Sequence, residues 1–379
     1  MGGPLRDLLL GQASLDVDIV VEGDGIGLAR DLADGLGTRP RVHPAFGTAT
    51  ITGDHWHIDI ATARRETYRR PGALPDVIPA TVDADLGRRD FTINAMALRL
   101  DGPDAGTLLD PLDGEADLRA GVIRALHEGS FQDDATRILR AARYRARFRF
   151  QMEPKTLAWL RRDTSCLQAI SGARLHREFA RLFREAEPEL ALSSLEETGA
   201  LAAVHPGLSF PLERAAALGW LRFAHPHGLA TACWPLLAAA ATPGQASGVA
   251  GRVALTKTQA LAVEAMPRLR ELAGALKSPS IRRSDLVDML APFLASALWA
   301  FAAVEGGPAR DRCLDYLERA RHLKPTLRGD DVIALGVPRG PEVGQALRRL
   351  KKAKLNGEVK TRRDEERLVR GLLAGAPAR

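Results

Sequence analysis

The chain has 379 residues and a mass of 40.9 kDa, which is long enough for two to four packed domains. Hydrophobic residues make up 45% and charged residues 26%, a globular composition that excludes disorder of the whole chain. The most apolar segment, residues 233–242, is too short to span a membrane, and three widely spaced cysteines predict neither a disulfide framework nor a zinc cluster. We therefore expect a soluble protein of a reducing compartment, the cytoplasm.

The first 125 residues are predicted to be rich in short strands. Apolar runs between glycine and polar breaks predict strands at residues 17–21, 48–51, 57–61, 95–100 and 107–109. Apolar residues on one helix face predict a helix at residues 25–36, and the prolines and glycine of residues 69–78 predict a mobile loop.

From residue 133 onwards the periodicity becomes helical. Helical patterns follow at residues 137–144, 174–185, 188–201, 258–276, 283–301 and 310–323. Strands followed by a long run of helices predict an α+β head joined to helical domains.

Positive charge is concentrated in two segments, although the net charge is only +6. Residues 137–184 contain 13 Lys and Arg against three acidic residues, and residues 321–379 contain 15 against seven. Two separated basic segments predict a polyanion partner that is contacted at more than one place. Solvated helix faces are the alternative, and charge alone does not choose between them.

Two adjacent glycines, Gly2 and Gly3, precede a segment with a helical pattern. Backbone N–H groups at such a helix start bind phosphate oxygens, and Arg6 adds charge-assisted hydrogen bonds to the same group. The pattern indicates a phosphate-binding turn, although adjacent glycines are also common in other turns.

Three carboxylates stand in predicted strands. Asp16 and Asp18 alternate along one strand and therefore share a face, and Asp59 lies in a second apolar strand. Neighbouring carboxylates repel each other unless a cation lies between them, and Mg²⁺ binds carboxylate together with phosphate oxygens. The three carboxylates therefore predict a site for two magnesium ions that promote in-line displacement at a phosphate, and the apolar neighbours of Asp18 indicate a buried strand.

Four motifs in order resemble the class II tRNA nucleotidyltransferases, the family of CCA-adding enzymes and bacterial poly(A) polymerases. They are Gly-Gly-x-x-Arg-Asp at residues 2–7, Asp-x-Asp at 16–18, Arg-Arg-Asp-Phe-Thr-Ile-Asn-Ala at 88–95 and Asp-Asp-Ala-Thr-Arg at 133–137, with a weaker resemblance at 329–341. The resemblance implies a catalytic head with a mixed sheet at residues 1–125, a helical neck at 126–185, a helical body at 186–320 and a basic, tRNA-binding helical tail at 321–379.

The resemblance also implies roles for individual residues. Asp16 and Asp18 are expected to be the metal ligands, with Asp59 as a third carboxylate whose role stays open. The nucleotide is expected to contact the glycine turn, Arg6, and the residues Arg88, Arg89, Asp90, Asn94, Asp134, Arg137, Arg140 and Arg143. The partners implied are the 3′ end of tRNA, ATP and CTP.

Asp134 and Arg137 form the predicted base-recognition pair. Three residues apart on a helix, they would share a face. Aspartate only accepts and arginine only donates, which matches the amino group beside a ring nitrogen in adenine and cytosine and mismatches guanine and uracil. The alternative for such a pair is a plain helix salt bridge.

Three features differ from the family pattern. Met1 stands directly before Gly2, so that either the start of the gene was assigned too late or the sheet of the head is open at that edge. Asp133 stands where the family usually has Glu. Ala173 stands in place of the first acid of a Glu-Arg-x-x-x-Glu motif. Arg174 and Glu178 remain and are predicted to pair.

The remaining polar clusters give weaker signals. The pairs His55/His57 and His225/His227 lack further ligands at zinc spacing and are expected to be surface or packing residues. The densest basic run, residues 348–354, contains Lys351, Lys352 and Lys354, which we expect to contact RNA phosphates.

Three functions compete. The first is nucleotide addition to tRNA, as full CCA, A-only or CC-only addition; the loop at residues 63–85 is intact in length, which by resemblance disfavours CC-only addition. The second is a poly(A) polymerase of the same family. The third is an inactive RNA-binding protein, which would not need paired carboxylates.

Overall fold

The computed structural model describes residues 1–12, 16–67, 72 and 76–374. The chain forms two compact units, Met1–Pro206 and Gly207–Arg379. All strands among the described residues lie in the first unit, and the second is built of helices. The predicted α+β head followed by helical domains is therefore confirmed, while the boundaries of the four predicted domains stay a prediction.

A four-stranded mixed sheet forms the centre of the head. Its strands are β1 (Asp16–Val21), β2 (Arg41–His43), β3 (Thr48–Thr52) and β4 (His57–Thr62). Their order is β1-β4-β3-β2, with β1 parallel to β4 and the other pairs antiparallel. Three two-stranded sheets follow: β5 (Arg64–Thr67) with β6 (Asp76–Pro79), β7 (Ala97–Leu98) with β8 (Leu108–Leu109), and β9 (Val122–Ile123) with β10 (Gln151–Met152).

The helices of the first unit surround this sheet and form the segment that follows it. They are α1 (Gly3–Leu9), α2 (Gly25–Gly35), α3 (Val82–Gly87), α4 (Gly114–Ala120), α5 (Ser130–Asp133), α6 (Thr136–Phe148), α7 (Pro154–Asp163), α8 (Gly172–Leu182), α9 (Pro188–Glu197) and α10 (Ala200–Val204). Helix α6 packs against α8 and α9. It therefore presents its remaining side to the head.

The predicted helix at residues 25–36 is confirmed as α2. Its first turn is capped by Asp24, whose side chain accepts a hydrogen bond from the backbone of Gly27 at 2.8 Å. Ala29 and Ala33 pack against Ile51 and Ile60 of the sheet. This apolar layer fixes one face of the sheet and leaves the opposite face for polar residues.

Two expectations about the head need correction. Strand β1 is not a buried strand, because it is the edge of the described sheet and Asp16 and Val17 are exposed. Only Ile19 and Val21 pack against the core beneath α2. The predicted loop at 69–78 lies mostly outside the described residues, and its last residues belong to β6.

The second unit contains eleven helices among the described residues. They are α11 (Leu212–Ala224), α12 (Leu229–Leu237), α13 (Pro243–Arg252), α14 (Lys257–Glu264), α15 (Met266–Lys277), α16 (Arg283–Leu290), α17 (Ala295–Glu305), α18 (Gly307–Glu318), α19 (Gly329–Ala334), α20 (Pro341–Leu355) and α21 (Arg362–Ala374). The predicted helices at 258–276 and 283–301 are each broken in two. Pro267 lies in the first turn of α15 and Pro292 lies between α16 and α17, where proline prevents a continuous helix.

No single described helix is long and apolar enough to cross a membrane. One pair, α16 with α17, passes the same test of length and composition together, but its two helices are bent by 118° at the break.

A buried carboxylate organises the end of the second unit. Glu365 of α21 is fully buried and accepts hydrogen bonds from the backbone N–H groups of Thr326 and Leu327, each at 2.8 Å from its Oε2. The Nζ atom of Lys354 lies 2.8 Å from its Oε1. Burial raises the pKa of Glu365. Lys354 and the two backbone donors together lower it by more, so that the net pKa is below its usual value.

We expect Lys354→Ala to lower the free energy of unfolding of this unit by about 3 kcal/mol, because it leaves a buried carboxylate without its counter-ion. Lys352→Ala is the matched control, since its partner Asp288 is exposed, and it should cost less than about 1 kcal/mol. Urea denaturation of the full chain measures both. Equal costs would contradict the structural role of Lys354.

The pH dependence of the same site has a defined sign. A carboxylate with a lowered folded pKa stabilises the protein above its unfolded pKa, and this stability is lost as the pH falls through the folded pKa. Lys354→Ala removes one cause of the lowering. Its acid unfolding should therefore begin at higher pH than that of the wild-type protein.

Candidate active site

The predicted carboxylates lie on the open face of the sheet. In the β1–β4 register Asp18 stands beside Asp59, and Asp16 stands beside His57. The His57 Nδ1 atom lies 3.0 Å from Asp16 Oδ1, and Thr50 Oγ1 donates to Asp59 Oδ1 at 2.5 Å. The alternation predicted for Asp16 and Asp18 thus brings all three carboxylates to one side of the sheet.

Asp18 has the chemistry of a cation ligand. Burial raises its pKa; the nearby terminal amine of Met1 and Arg89 lower it, while Asp59 and Asp16 raise it, and the net pKa is raised. A cation placed against these carboxylates would relieve that repulsion. Among the described residues no group of three His, Cys, Asp or Glu side chains is arranged to hold a metal ion, so substrate oxygens would have to complete the coordination.

The glycine pair stands at the start of α1, as the sequence predicts, but the N–H group of Gly2 is already used within the protein rather than left open for a phosphate. Gly2 precedes α1 with φ +67°, a conformation that favours glycine, and its N–H donates to the carbonyl of Met96 at 3.0 Å. The Nη1 atom of Arg89 would lie 2.3 Å from a Cβ at this position. A side chain at residue 2 would therefore displace Arg89.

Arg6 follows one turn later and is nearly inaccessible, at 3% exposed. Its Nε and Nη2 atoms donate to Asp7 Oδ1 at 2.8 and 2.7 Å, and its Nη1 donates to Asn94 Oδ1 at 2.5 Å. The guanidinium also lies over the rings of Tyr144 and Phe148, 5.3 and 4.6 Å from their centroids. It still contributes to the wall of the cleft.

The motif at residues 88–94 supplies paired cations. Arg88 lies 2.6 Å from Asp85 and 2.7 Å from Glu66, and Arg89 lies 3.3 Å from Asp85. The buried Asp85 thus holds both arginines at the end of α3, and the pair of Arg88 with Glu66 connects this segment to β5. Both arginines line the cleft with part of their charge already balanced.

Asp90, the one carboxylate of this motif, is buried. Its Oδ1 accepts from Phe91 N and from Asn94 Nδ2, both at 2.9 Å, and its Oδ2 lies 2.6 Å from Arg140. Burial raises the pKa of Asp90, but Arg140 and the hydrogen bond from Asn94 lower it, with a net lowering. Asp90 is therefore held ionised.

Arg140 pairs with Asp90 of the motif and also lines the cleft. Burial lowers its pKa, but the charge and hydrogen bond of Asp90 together with Tyr144 and Glu178 raise it by more, with a net increase. Its Nη2 also donates to the hydroxyl of Tyr144 at 2.9 Å. Arg143 is directed elsewhere: it lies 3.5 Å from Glu185 and is not among the described residues that line the cleft. Its predicted nucleotide contact gains no support from this position.

Asp134 and Arg137 do not share a helix, which corrects the sequence prediction. Asp134 has extended backbone between α5 and α6, whereas Arg137 lies in the first turn of α6. Asp134 Oδ1 accepts from Thr136 N, Thr136 Oγ1 and Arg174 Nη2 at 3.0, 2.7 and 2.8 Å. Its Oδ2 accepts no hydrogen bond from the described residues. The expected Arg174–Glu178 pair is replaced by Arg174–Asp134.

Arg137 is held by other partners. Its Nη1 donates to Ser130 Oγ at 2.6 Å and its Nη2 to the carbonyl of Arg88 at 2.7 Å. Three of its five N–H donors are unused within the described part of the chain. The salt-bridge alternative is therefore wrong: acceptor and donor are fixed separately, and each keeps unused capacity.

These residues line one cleft of about 960 Å³ within the first unit. Among the described residues, nine arginines and five carboxylates line it, an excess of positive charge that suits a polyphosphate. The sequence interpretation did not single out Tyr144, Ser171 or Arg177, which also line it. Arg177 could have been found, because it stands three residues after Arg174 on one face of α8.

The three tail lysines predicted to bind RNA differ in their surroundings. Lys352 is paired with Asp288 and Lys354 with the buried Glu365, so neither offers an unpaired ammonium group. Lys351 lines a concave surface of about 660 Å³ in the second unit, with Lys324, Arg328 and Arg348.

Family comparisons agree with this geometry. A family model described as "Poly A polymerase head domain" matches residues 1–124, and one described as "Probable RNA and SrmB- binding site of polymerase A" matches residues 149–210. The fold and the cleft thus define a head of the poly(A) polymerase type, followed by a helical segment that is similar to the RNA-binding part of these polymerases.

Whole-chain relatives identify the family. The chain is 32% identical to an A-adding tRNA nucleotidyltransferase of Halalkalibacterium halodurans, over 98% of this chain and 87% of that protein. It is 36% identical to a CC-adding tRNA nucleotidyltransferase of Deinococcus radiodurans, over 100% of this chain and 90% of that protein. A further A-adding relative, from Geobacter sulfurreducens, is 33% identical over 97% of this chain, which spans only 44% of it. The chain belongs to the tRNA nucleotidyltransferase family.

Solved structures share the whole fold. The Thermotoga maritima CCA-adding enzyme complexed with tRNA aligns with a TM-score of 0.81 and 28% identity, covering 98% of this chain and 90% of that one. A complex of a CCA-adding enzyme with ATP aligns with a TM-score of 0.80 and 29% identity, covering 98% and 90%. Nucleotidyltransferases of this family generally need a divalent metal ion.

Gly2→Ala tests the glycine turn. We expect it to weaken ATP binding, because the new methyl group displaces Arg89 in addition to straining the backbone by about 1 kcal/mol. Gly11→Ala is the matched control, since φ is also positive there, at +71°, but no atom lies within 4 Å of a new Cβ. Thermal melts should show strain in both variants, whereas ATP titration should separate them. Equal ATP affinities would contradict this interpretation.

Proposed function

We propose that this protein adds nucleotides to the 3′ end of tRNA without a nucleic-acid template, using ATP and CTP to build the CCA end or ATP to complete it. One observation carries the proposal. A carboxylate with an open acceptor oxygen and an arginine with open donors line the same cationic cleft as Asp18. This combination serves the base, the phosphates and the reacting centre of one nucleotide. The cytoplasm is the compartment we propose.

The reaction joins the tRNA 3′ oxygen to the α-phosphate of the nucleotide, releases pyrophosphate and transfers the hydroxyl proton to solvent or a base. We propose that Asp16 and Asp18 hold Mg²⁺, which when bound would activate the 3′ hydroxyl and stabilise negative charge on the phosphates. Asp59 lies beside Asp18 in the register and is fixed by Thr50. The arginines of the cleft balance the charge of the triphosphate.

Base choice follows from the remaining hydrogen-bonding capacity. Asp134 Oδ2 can accept from the amino group of adenine or cytosine, and Arg137 can donate to the adjacent ring nitrogen. Guanine and uracil present the reverse order, which would leave two charged groups without partners. Arg174 and Ser130 support this geometry by fixing one end of each side chain.

Primer extension tests the function directly. Three tRNA substrates, ending before CCA, in C and in CC, are incubated with each nucleotide alone and with ATP plus CTP. Full CCA addition extends all three; A-only addition extends only the tRNA ending in CC, by one nucleotide. Asp18→Asn is the inactive control, because it keeps the shape of the side chain and removes its charge.

The same assay exposes the competing functions. Extension that stops after CC would indicate CC-only addition, the activity named for the relative from Deinococcus radiodurans. A long run of A would indicate a poly(A) polymerase. Binding of tRNA without extension by the wild-type protein would indicate an inactive RNA-binding protein.

Arg137→Ala should relax base selection more than it weakens triphosphate binding. A lost charged hydrogen bond costs about 1.5–3 kcal/mol, which corresponds to roughly ten- to a hundredfold in discrimination against GTP and UTP. Incorporation of all four nucleotides is measured beside a thermal melt. An unchanged nucleotide ratio with a lowered melting temperature would mean that Arg137 has only a structural role.

We propose that the tail contacts tRNA phosphates through the concave surface that contains Arg348 and Lys351, rather than through Lys352 and Lys354. Arg348→Ala with Lys351→Ala should therefore reduce the slope of log K against log[salt] by about one unit per lost phosphate contact. Lys352→Ala is the control, because its ammonium group is already paired with Asp288. A slope that changes only in the control would contradict the assignment.

A further inference from the structure

The guanidinium of Arg6 is oriented by aromatic rings that belong to a different part of the chain. Tyr144 and Phe148 stand four residues apart on α6, and their rings stack with centroids 5.8 Å apart at an angle of 25°. The centre of the Arg6 guanidinium lies 4.6 Å from the Phe148 ring and 5.3 Å from the Tyr144 ring. A cation that is 3% exposed gains most from such contacts, because little water competes for it.

The same cation is part of a closed ring of interactions between the head and α6. Arg6 donates to Asn94, Asn94 donates to Asp90, Asp90 accepts from Arg140, and Arg140 donates to the Tyr144 hydroxyl. The Tyr144 ring in turn lies against the Arg6 guanidinium, which closes the ring of contacts. Each member restricts the next, so that Arg6 has little freedom to change its orientation.

Phe148 distinguishes an indirect effect on the nucleotide from a direct contact. It has no polar atom, and it is not among the described residues that line the cleft. It can therefore influence a nucleotide only through a residue that does line the cleft. Arg6 is the cleft residue whose cation it contacts.

We propose that Phe148 and Tyr144 are positioning residues that fix Arg6 toward the triphosphate, and thereby set how tightly the cleft holds any nucleotide. This inference rests on the proposed function. It assigns α6 two separate tasks, since Arg137 at its start selects the base while the aromatic pair further along controls affinity. Removal of the Phe148 ring should weaken ATP and CTP equally and leave base selection unchanged.

The test compares Phe148→Leu with Phe150→Leu. Both rings belong to one aromatic cluster, with centroids 5.4 Å apart, but only Phe148 lies against Arg6. Titration of ATP with magnesium in the absence of tRNA should show a Kd raised about five- to tenfold for Phe148→Leu and unchanged for Phe150→Leu. Phe148→Tyr keeps the aromatic ring and should therefore bind ATP with the wild-type Kd. If Phe148→Leu does not fold, Phe148→Met, whose longer and more flexible side chain adapts better to the space left by the ring, makes the same comparison.

A double-mutant cycle establishes that Arg6 is the intermediary. Arg6→Gln keeps hydrogen-bond donors and removes the charge. In that background Phe148→Leu should cause no further loss of ATP affinity. Additive losses, or equal losses in Phe148→Leu and Phe150→Leu, would overturn the proposal, as would a changed ratio of ATP to GTP incorporation.

Failure of this inference is distinguishable from failure of the proposed function. If the wild-type protein extends tRNA but Phe148→Leu binds ATP normally, only the positioning role is wrong. If the Kd values follow the prediction but tRNA is not extended, the positioning role stands and the proposed reaction is wrong.

Discussion

The ion pair between Asp90 and Arg140 is the interaction on which the cleft depends. An isolated ionised carboxylate could not remain buried at this position, because its desolvation would cost several kcal/mol. Arg140, Asn94 and the backbone of Phe91 satisfy its two oxygens. Since Arg140 lies on α6 and Asp90 in the head, the requirement to pair this charge also fixes where α6 meets the head.

The pairing has a consequence for the other cations of the cleft. Arg6, Arg88 and Arg89 all contact a carboxylate of the protein, and Arg137 is held by a hydroxyl and a carbonyl. The positive potential is therefore carried by side chains whose positions are fixed before a ligand arrives. Binding a triphosphate then requires little reordering of these groups, which is the condition for effective electrostatic stabilisation of a reacting phosphate.

The sequence predicted the elements whose determinants are local. Strand alternation placed Asp16 and Asp18 on one face, and the apolar spacing of residues 25–36 predicted α2 correctly. The bend at Asp134 was missed although Thr136, two residues on, donates to its side chain, whereas the contact of Asp134 with Arg174, forty residues away, has no local signal in the sequence. The role of Lys354 was missed for the same reason: its ammonium group serves Glu365, whose burial follows from the packing of α20 and α21 rather than from any local pattern.

Contacts between distant residues also position the two arginines of α6 that line the cleft. Arg137 and Arg140 are three residues apart on α6 and therefore lie on the same face. The first is anchored to the carbonyl of Arg88 and the second to Asp90, two residues further along the same motif. A rotation of α6 would displace both anchors at once, so the residue proposed to recognise the base and the buried ion pair of the cleft depend on the same helix position. The two side chains nevertheless differ, because Arg137 keeps unused donors for the proposed contact with a base, while the charge of Arg140 is paired with Asp90.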